Sequence, residues 1–525
     1  KAEPQPLEAI GGQVPVTINA TIPAKWFNKK AVVTVTPVLR YAGGEAWGTA
    51  YTYQGEKVKG NNQVVPFKEG ANVTMKSSFA YKPEMKKSEL YLTFDAKIKN
   101  KTVKLPDVKI GEGVIATSEL ADAATANAAI AADKFQRIIK EAHDANIMFL
   151  IQQANLRAKE LNSDAIKEWK ELVKNADEAP NQNVAIEISA YASPDGGVKL
   201  NTGLAESRQN NTQKYLNKEL KKGKINAQVD TKYTAQDWDG FQTLVSKSNI
   251  QDKDLILRVL SMYQDPEQRE TEIKNISSVY KTLADEILPQ LRRARLTANY
   301  DVIGRSDEEI NEAFDKDAKV LSNEELLYAA TLTSDNARKE AIYKKTTELY
   351  PADARAYNNL GKMAYAAGDL AKAEGYFKQA LSKNANSAEA NTNLGLIELN
   401  KGNVANAENY LSKSTGADAA NEALGNLYIK QGQYDRAVNA FGDVKTNSAA
   451  LAQILAKDYN KAKNTLAAVK NPDAYTDYLM AIVGARTNNA DLVKSSMAKV
   501  AQKDAALAAK AQIDREFAKY ANEIK

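Results

Sequence analysis

Apolar and polar residues alternate along the first part of the chain, from residue 12 to about residue 110. The clearest alternating runs are 14–22, 31–39 and 90–96, and shorter runs cover 49–54, 62–67, 72–80 and 102–109. A period of two places one row of side chains in a core and the other row in solvent. About seven short strands at this spacing predict a β-sandwich of immunoglobulin type over residues 1–117. Such a module usually binds proteins or spaces other modules apart.

Residues 118–136 are rich in alanine and show no alternation. Alanine has the highest intrinsic helix propensity, and a segment of such small side chains buries little apolar surface. We therefore expect a helical connector or a linker here rather than part of a core, and a domain boundary at this point.

Strand-like and helix-like patterns alternate over residues 137–310, which predicts an α+β domain with helices on one face of a sheet. The resemblance of residues 233–241, 252–260 and 265–270 to a known protein family implies a helical insertion in this domain at about 230–290. The predicted elements are a strand at 146–152, a helix at 164–174, a strand at Val184–Tyr191, a helix at 203–220 and a strand at 295–303.

An internal repeat dominates residues 320–525, which read as all-helical. Leu360-Gly361 recurs 34 residues later as Leu394-Gly395, and Gly425 follows after a shorter interval of 30 residues. Each of these glycines is followed by alanine 12 positions later and by a large apolar residue 16 positions later, namely Ala373 and Phe377, Ala407 and Leu411, and Ala437 and Phe441. A looser unit precedes them (Leu327, Tyr343, Pro351), and a weaker continuation follows Ala450. The period and the residues resemble tetratricopeptide repeats, which predicts a helical superhelix.

Tetratricopeptide arrays present a concave groove that is lined mainly by the first helix of each pair. The predicted groove residues are Arg355, Asn358, Lys362 and Tyr365 from one repeat and Glu389, Thr392, Leu396 and Leu399 from the next. Lys362, Asn359 and Asn393 resemble fragments of a carboxylate clamp, but the next repeat has Glu422 and Ala423 in the corresponding region. The pattern is equally consistent with a groove that docks proteins and with a face that packs within the molecule.

The composition of the 525-residue chain excludes several classes of chemistry. It has no cysteine and one histidine, His143, so disulfides, thiolate nucleophiles, zinc clusters and most histidine-based general-base schemes are ruled out. The net charge is only +5, which is too dilute to indicate nucleic-acid binding. We therefore expect a binding protein with no catalytic residues, no metal and no cofactor, rather than an enzyme.

A strand, turn and helix in the middle of the chain resemble the ligand-binding part of the OmpA C-terminal domain. The matching residues are Tyr191-Ala192-Ser193-Pro194-Asp195-Gly196, then Asn201, then Leu204-Ala205-Glu206-Ser207-Arg208. In that family an aspartate in the turn and an arginine on the helix hold the diaminopimelate of peptidoglycan. The resemblance implies that Arg208 grips the carboxylate of the ligand. Ser193 stands where the family has its aspartate, and Asp195 is the candidate substitute.

A longer stretch resembles OmpA-related proteins of Bacteroidetes, in which tetratricopeptide repeats follow the OmpA-like domain. The residues that carry the resemblance lie at 233–241, 252–260, 265–270 and 288–296. It implies an outer-membrane lipoprotein, with the periplasmic face favoured over the cell surface. No apolar run in the chain is long enough to span a bilayer, so the expected anchor is a lipid on a residue upstream of Lys1.

Two functions from different classes follow from these observations. In the first, the chain is a scaffold or accessory subunit that binds outer-membrane proteins or a multi-subunit envelope complex through its groove and its sandwich. In the second, it tethers the membrane to peptidoglycan through Ser193, Asp195, Asn201 and Arg208. The alternative role for Arg208 is a structural one within its own domain, and Ser193 favours the scaffold.

Overall fold

The computed structural model describes residues 1–180 and 182–525, without the side chains of Ser277 and Ser278. The chain divides into two compact units. One unit contains Lys1–Asp133 together with Ala318–Lys525, and the other contains Lys134–Asp317. The strand-rich beginning and the helical end of the chain are thus parts of one folded unit, although the whole central unit separates them in sequence.

Residues 1–117 are rich in strands. The strands are β1 (Ala2–Glu3), β2 (Leu7–Glu8), β3 (Gln13–Ile22), β4 (Ala31–Tyr41), β5 (Gly44–Trp47), β6 (Tyr51–Gly55), β7 (Gln63–Val65), β8 (Ala71–Ala80), β9 (Ser88–Ile98), β10 (Lys101–Val103), β11 (Val108–Glu112) and β12 (Val114–Ile115). A three-stranded sheet has the order β1-β3-β8, and a larger sheet has the order β10-β9-β4-β6-β7, with β11 paired to β9 and β5 paired to β4. The all-β prediction for this region is confirmed.

One hydrophobic cluster joins these two sheets. Val73, Met75 and Phe79 alternate with exposed residues along β8, and Val35 and Leu90 enter the same cluster from the larger sheet. The alternation in the sequence therefore reports burial against a facing sheet, as expected for strands with one solvated face.

The central unit is built on a four-stranded sheet with the order β13-β16-β14-β15. β14 (Val184–Tyr191) and β15 (Gln228–Thr234) are parallel, whereas β16 (Arg293–Ile303) is antiparallel to both of its neighbours, β13 (Ile138–Met148) and β14. Helices α2 (Asp164–Glu178) and α3 (Val198–Gly223) pack on it through a shared apolar cluster, and the short α1 (Ala158–Leu161) precedes them.

The first strand of this sheet differs from the prediction of a strand at 146–152. β13 begins at Ile138 and ends at Met148, and residues 149–152 lie outside it. Most side chains in its first half are exposed, including the apolar Ile138 and Ile139, so this half shows no alternation of buried and exposed positions. Pairing with β16 along the full length defines the strand instead.

Five helices lie between β15 and β16 and share a hydrophobic cluster of their own. They are α4 (Trp238–Lys247), α5 (Lys253–Met262), α6 (Pro266–Asn275), α7 (Ser277–Thr282) and α8 (Leu288–Leu291), with a π-helical turn at Leu283–Ile287. A further helix, α9 (Asp307–Asp317), ends the central unit.

The remaining helices pack against one another in chain order, as six successive pairs followed by a single last helix. They are α10 (Asn323–Ala329), α11 (Asn336–Leu349), α12 (Ala354–Ala366), α13 (Leu370–Lys383), α14 (Ala388–Asn400), α15 (Val404–Leu411), α16 (Ala420–Lys430), α17 (Tyr434–Phe441), α18 (Asn447–Leu455), α19 (Tyr459–Ala467), α20 (Ala474–Arg486), α21 (Ala490–Lys503) and α22 (Ala505–Ala511). No helix among the described residues is both long enough and apolar enough to cross a membrane.

The repeat glycines allow the two helices of a pair to approach closely. A Cβ atom added to Gly361 would lie 2.5 Å from the ring of Phe377, and one added to Gly395 would lie 2.6 Å from Leu411. Gly425 has the same relation to Phe441, at 2.5 Å. The spacing of 16 residues in the sequence therefore reflects one contact between the two helices of each pair.

Two glycine substitutions in neighbouring helices should have opposite effects on stability. Gly361→Ala should destabilise the repeats by about 1–3 kcal/mol, because the methyl group overlaps the buried Phe377. Gly375→Ala should stabilise them by about 0.5–1 kcal/mol, because Gly375 is an exposed position within α13 with nothing near its Cβ position. Urea unfolding followed by circular dichroism measures both, and equal effects would contradict the proposed role of Gly361.

Candidate functional site

The concave face of the helical repeats holds an extended segment of the chain itself. This groove segment, residues 122–133, makes hydrogen bonds to side chains of α12 and α14 and to the region at the start of α16. Only Ala123–Thr125 form a short 3-10 turn. All of these residues belong to the same folded unit.

The expectation of a helical connector without a core role is wrong for this segment. Five of its alanines are buried, and three of these belong to the hydrophobic cluster of the repeats (Ala123, Ala126, Ala128, Ala129, Ala131). A helix would use its own N–H and C=O groups internally, whereas here side chains of the repeats satisfy many of them. Tertiary contacts outweigh the helix propensity of alanine.

Two asparagines pair with both main-chain groups of a residue in the groove segment. The Oδ1 atom of Asn393 accepts a hydrogen bond from the N–H of Ala129 (2.6 Å), and its Nδ2 atom donates to the carbonyl of Ala129 (2.9 Å). Asn359 makes the same two bonds with Ala131, at 2.8 and 3.0 Å. A side-chain amide carries one acceptor and two donors, so it matches the two groups that an extended residue presents.

The asparagine pairs are themselves linked. Asn358 donates through Nδ2 to the carbonyl of Ala129 (3.0 Å), and its Oδ1 atom accepts from Asn393 (2.9 Å). Asn358, Asn359 and Asn393 are all buried, so an unpaired amide in this position would lose its hydrogen bonds without regaining water.

The segment runs antiparallel to the order of the repeats. Ala131 lies on α12, Ala129 lies on α14, and the N–H of Asn127 is bonded by Glu422 of α16. Two residues of extended chain thus correspond to one repeat, which explains why Asn359 and Asn393 stand one repeat apart in sequence.

Charged side chains contact the main chain on both sides of the asparagines. Lys362 donates to the carbonyl of Ala128, and Asp418 accepts from the N–H of Ile130 at 3.2 Å. Burial raises the pKa of Glu422, while its hydrogen bond from Asn127 and the nearby Lys362 oppose the shift. The groove therefore combines donors and acceptors that match a peptide main chain.

Two further predicted groove residues contact the ends of the segment. The hydroxyl of Tyr365 donates to the carbonyl of Ala123, and burial raises the pKa of Tyr365 to about 12. Arg355 donates to the carbonyl of Ala132 at 3.4 Å and forms ion pairs with Asp353 and Glu324.

The structure brings Arg355, Asn358, Lys362 and Tyr365 onto the groove segment, whereas the residues predicted from α14 behave differently. Leu396 and Leu399 are buried in the cluster that also contains Ala123, Ala126 and Ala128. Thr392 is buried and bonds the carbonyl of Ala388 within its own helix, and the carboxylate of Glu389 accepts from Ser387.

Asp418 and Glu422 are groove residues that no pattern in the sequence identifies. Glu422 stands in the sequence only as a departure from a carboxylate clamp, and Asp418 precedes α16 in a loop. Lys362, Asn359 and Asn393, the fragments of that clamp, contact main-chain groups of the groove segment. No signal in the sequence identified residues 122–133 as their partner.

The four residues of the OmpA-like match lie together in the central unit but are bonded to their own domain. The guanidinium of Arg208 is fully buried and donates to the carbonyls of Tyr191 (2.8 Å), Gln153 (2.9 Å) and Leu150 (3.1 Å). Burial, together with the nearby charge of Arg292, lowers the pKa of Arg208 to about 10. The side chain thus fastens the strand and the preceding loop to α3.

The turn residues of this match are bonded to a second arginine. Arg292 donates to the hydroxyl of Ser193 (3.2 Å) and to Oδ2 of Asp195 (3.1 Å). Asn201 donates to the carbonyls of Ser193 and Gly196 and so holds the turn closed. Within the described residues there is no group of three histidine, cysteine or acidic side chains that could hold a metal.

The helical repeats match two family models. Residues 337–387 and 364–422 match a family model described as tetratricopeptide repeat, and residues 420–444 match a second model with the same description. The prediction of tetratricopeptide repeats is therefore confirmed. No curated protein sequence matches the chain.

Three solved structures resemble this chain over part of its length. A tetratricopeptide repeat protein from Parabacteroides merdae is 15% identical, with 40% of this chain and 96% of that chain covered and a TM-score of 0.27. PilW, a type IV pilus biogenesis factor, is 18% identical over 37% and 90%, with a TM-score of 0.28. The APC/C hetero-tetramer Cut9–Hcn1 is 14% identical over 41% of this chain and 44% of that chain, with a TM-score of 0.33. The chain thus spans less than half of that last relative.

Substitution of Asn393 should loosen the groove segment. Asn393→Ala removes two hydrogen bonds to the buried Ala129, so the amides of residues 127–131 should exchange at least about tenfold faster, equivalent to about 1.4 kcal/mol. Hydrogen exchange read by mass spectrometry measures this. The matched control is Asn409→Ala on α15, where the residue is exposed and should leave the exchange unchanged.

Substitution of Arg208 should unfold the central unit rather than remove a ligand contact. Arg208→Ala removes the donor of three main-chain carbonyls and the volume of a fully buried side chain, and it should cost about 3–5 kcal/mol. Urea unfolding followed by the fluorescence of Trp169 and Trp238, both buried in this unit, measures the loss. Arg258→Ala is the control, because Arg258 is exposed and should change stability by less than about 0.5 kcal/mol. An Arg208→Ala protein of normal stability would contradict the structural role.

Proposed function

We propose that this chain is a non-enzymatic scaffold that binds protein partners and that its tetratricopeptide groove is the peptide-binding element. The observation that carries the proposal is the pairing of Asn359 and Asn393 with both main-chain groups of alternate residues in an extended segment. These contacts recognise peptide geometry and perform no chemistry on it. The match of residues 337–444 to tetratricopeptide models supports a role in protein–protein interaction.

The β-rich region is the second docking surface in this proposal. Trp26 and Trp47 are 79% and 62% exposed on it, and large exposed aromatic side chains are enriched at protein interfaces. We further propose that this region is an immunoglobulin-type sandwich. Its two sheets with one shared cluster support that assignment.

The cellular setting is proposed from sequence resemblance. The residues around Tyr191–Arg208 and the stretches up to residue 296 resemble OmpA-related proteins of Bacteroidetes. On that basis we propose an OmpA-like central domain, a lipid anchor upstream of Lys1, and attachment to the periplasmic face of the outer membrane. The proposed partners are outer-membrane proteins or a multi-subunit envelope complex, with no role for nucleic acid.

Of the two functions considered, the scaffold is better supported than the peptidoglycan tether. A tether needs the guanidinium of Arg208 and the carboxylate of Asp195 to face a ligand. The side chain of Arg208 is instead fully buried and donates hydrogen bonds to three carbonyls. Oδ2 of Asp195 accepts a hydrogen bond from Arg292.

Affinity purification of the native chain from detergent-solubilised outer membranes tests the scaffold. We expect one or more proteins to co-purify in stoichiometric amounts. Recovery of the chain alone would contradict the proposal, and retention of the chain on purified sacculi would support the tether instead.

Two double variants show which surface of the chain binds the co-purifying proteins. The double variant Trp26→Ala/Trp47→Ala tests the β-rich region, and Asn359→Ala/Asn393→Ala tests the groove. Asn409→Ala serves as the control, because this exposed asparagine lies on α15, outside the set of side chains that bond the groove segment.

A further inference from the structure

The groove restricts the side-chain volume of the peptide that occupies it, as well as matching its main-chain geometry. The alanines at 128, 129 and 131 are 3%, 0% and 5% exposed, so protein atoms enclose their methyl groups. Protein interiors are packed densely enough that a few added methylene groups at such positions force neighbouring atoms to move. An occupant of the groove must therefore carry small residues at these three positions.

Ile130 is the exception among residues 128–131. Its side chain is only partly buried and lines a cavity of about 410 Å³ together with Tyr343, Met363 and Tyr376. The cavity leaves room for a larger apolar or aromatic side chain at this one position.

The groove segment is held by contacts that another peptide could make equally well. The hydrogen bonds to Lys362, Asp418, Asn359 and Asn393 all go to its main-chain atoms. What favours the internal segment is its covalent attachment, because a tethered peptide acts at an effective concentration in the millimolar range.

We infer that the groove binds an extended peptide of a partner protein, with small residues at the positions of Ala128, Ala129 and Ala131 and a large apolar or aromatic residue at the position of Ile130. Residues 122–133 act as a built-in competitor that the partner displaces. This inference rests on the proposed scaffold function and names the class of ligand for its groove.

The test uses a fluorescent peptide with the sequence of residues 122–133 and the full chain. Ala129→Leu places a large side chain where the wild-type methyl group is fully buried, so it should expel the internal segment and leave the groove side chains intact. Ala124→Leu is the matched control, because Ala124 is exposed within the same segment. We expect fluorescence anisotropy to show binding of the peptide to Ala129→Leu at concentrations at least tenfold below those required by the wild type or by Ala124→Leu.

Altered peptides then test the predicted preference. A peptide with leucine at the position of Ala129 should bind the Ala129→Leu chain at least tenfold more weakly than the original peptide. A peptide with phenylalanine at the position of Ile130 should bind at least as tightly as the original. Loss of binding with the phenylalanine peptide would refute the role assigned to the cavity.

A second variant covers the case in which Ala129→Leu does not fold. In it, residues 122–133 are replaced by a glycine-serine linker of equal length, which removes the competitor and keeps the connection. A folded variant of either kind that fails to bind the peptide would overturn the inference, as would failure of both variants to fold, since the segment would then be indispensable and not exchangeable.

Failure of the inferred groove ligand can be distinguished from failure of the scaffold proposal. If partners co-purify with the wild type and are lost in Trp26→Ala/Trp47→Ala but not in Asn359→Ala/Asn393→Ala, the chain is a scaffold that binds through its β-rich region. The peptide-binding role of the groove and the ligand inferred for it are then both wrong. If no partner co-purifies but the peptide binds Ala129→Leu, the groove retains its specificity and the scaffold proposal fails.

Discussion

The main chain of the groove segment can satisfy its hydrogen bonds in an extended conformation only because the repeats supply matching amides. Asn359 and Asn393 each bond both groups of one residue, and Lys362, Asp418 and Glu422 bond the residues next to them. Without these partners, burial of the extended main chain of so many alanines would leave N–H and C=O groups unpaired at considerable cost. The pairing fixes the register of the segment on the repeats.

The pairing of the groove segment with the repeats helps to join the first and the last parts of the chain. The segment follows directly on the β-rich region, and further contacts join that region to the last repeats. Arg486 of α20 bonds Glu8 of β2 at 3.0 Å and also pairs with Glu516, which in turn accepts from Thr117 at 2.6 Å. Buried charges of this kind are stable only when both partners remain in place. Residues more than 470 positions apart therefore belong to one folded unit.

The central unit shows that residues resembling a ligand-binding motif can serve the fold of their own domain. Arg208 and Asn201 stand at the spacing of a ligand-binding motif, yet Arg208 bonds three carbonyls and Asn201 closes the turn. Asp195 faces Arg292, a residue from the end of the helical insertion that sequence spacing could not place beside it. Motif spacing identifies which side chains are near one another, but the neighbours contributed by distant segments decide whether those side chains are free.

The sequence by itself determined the local elements and the repeat. The alternation of β8, the strand at Val184–Tyr191 and the contact of Gly361 with Phe377 all follow from short-range periodicity, because neighbours at fixed spacing pack against one another. Only the tertiary structure decided that residues 122–133 fill the groove. Ala131 and Asn359 are 228 residues apart, and the contact uses main-chain atoms that are the same in every residue. Such a contact leaves no pattern in the sequence, whereas alanine's helix propensity points the other way, and it forms only after the repeats have assembled the surface that holds it.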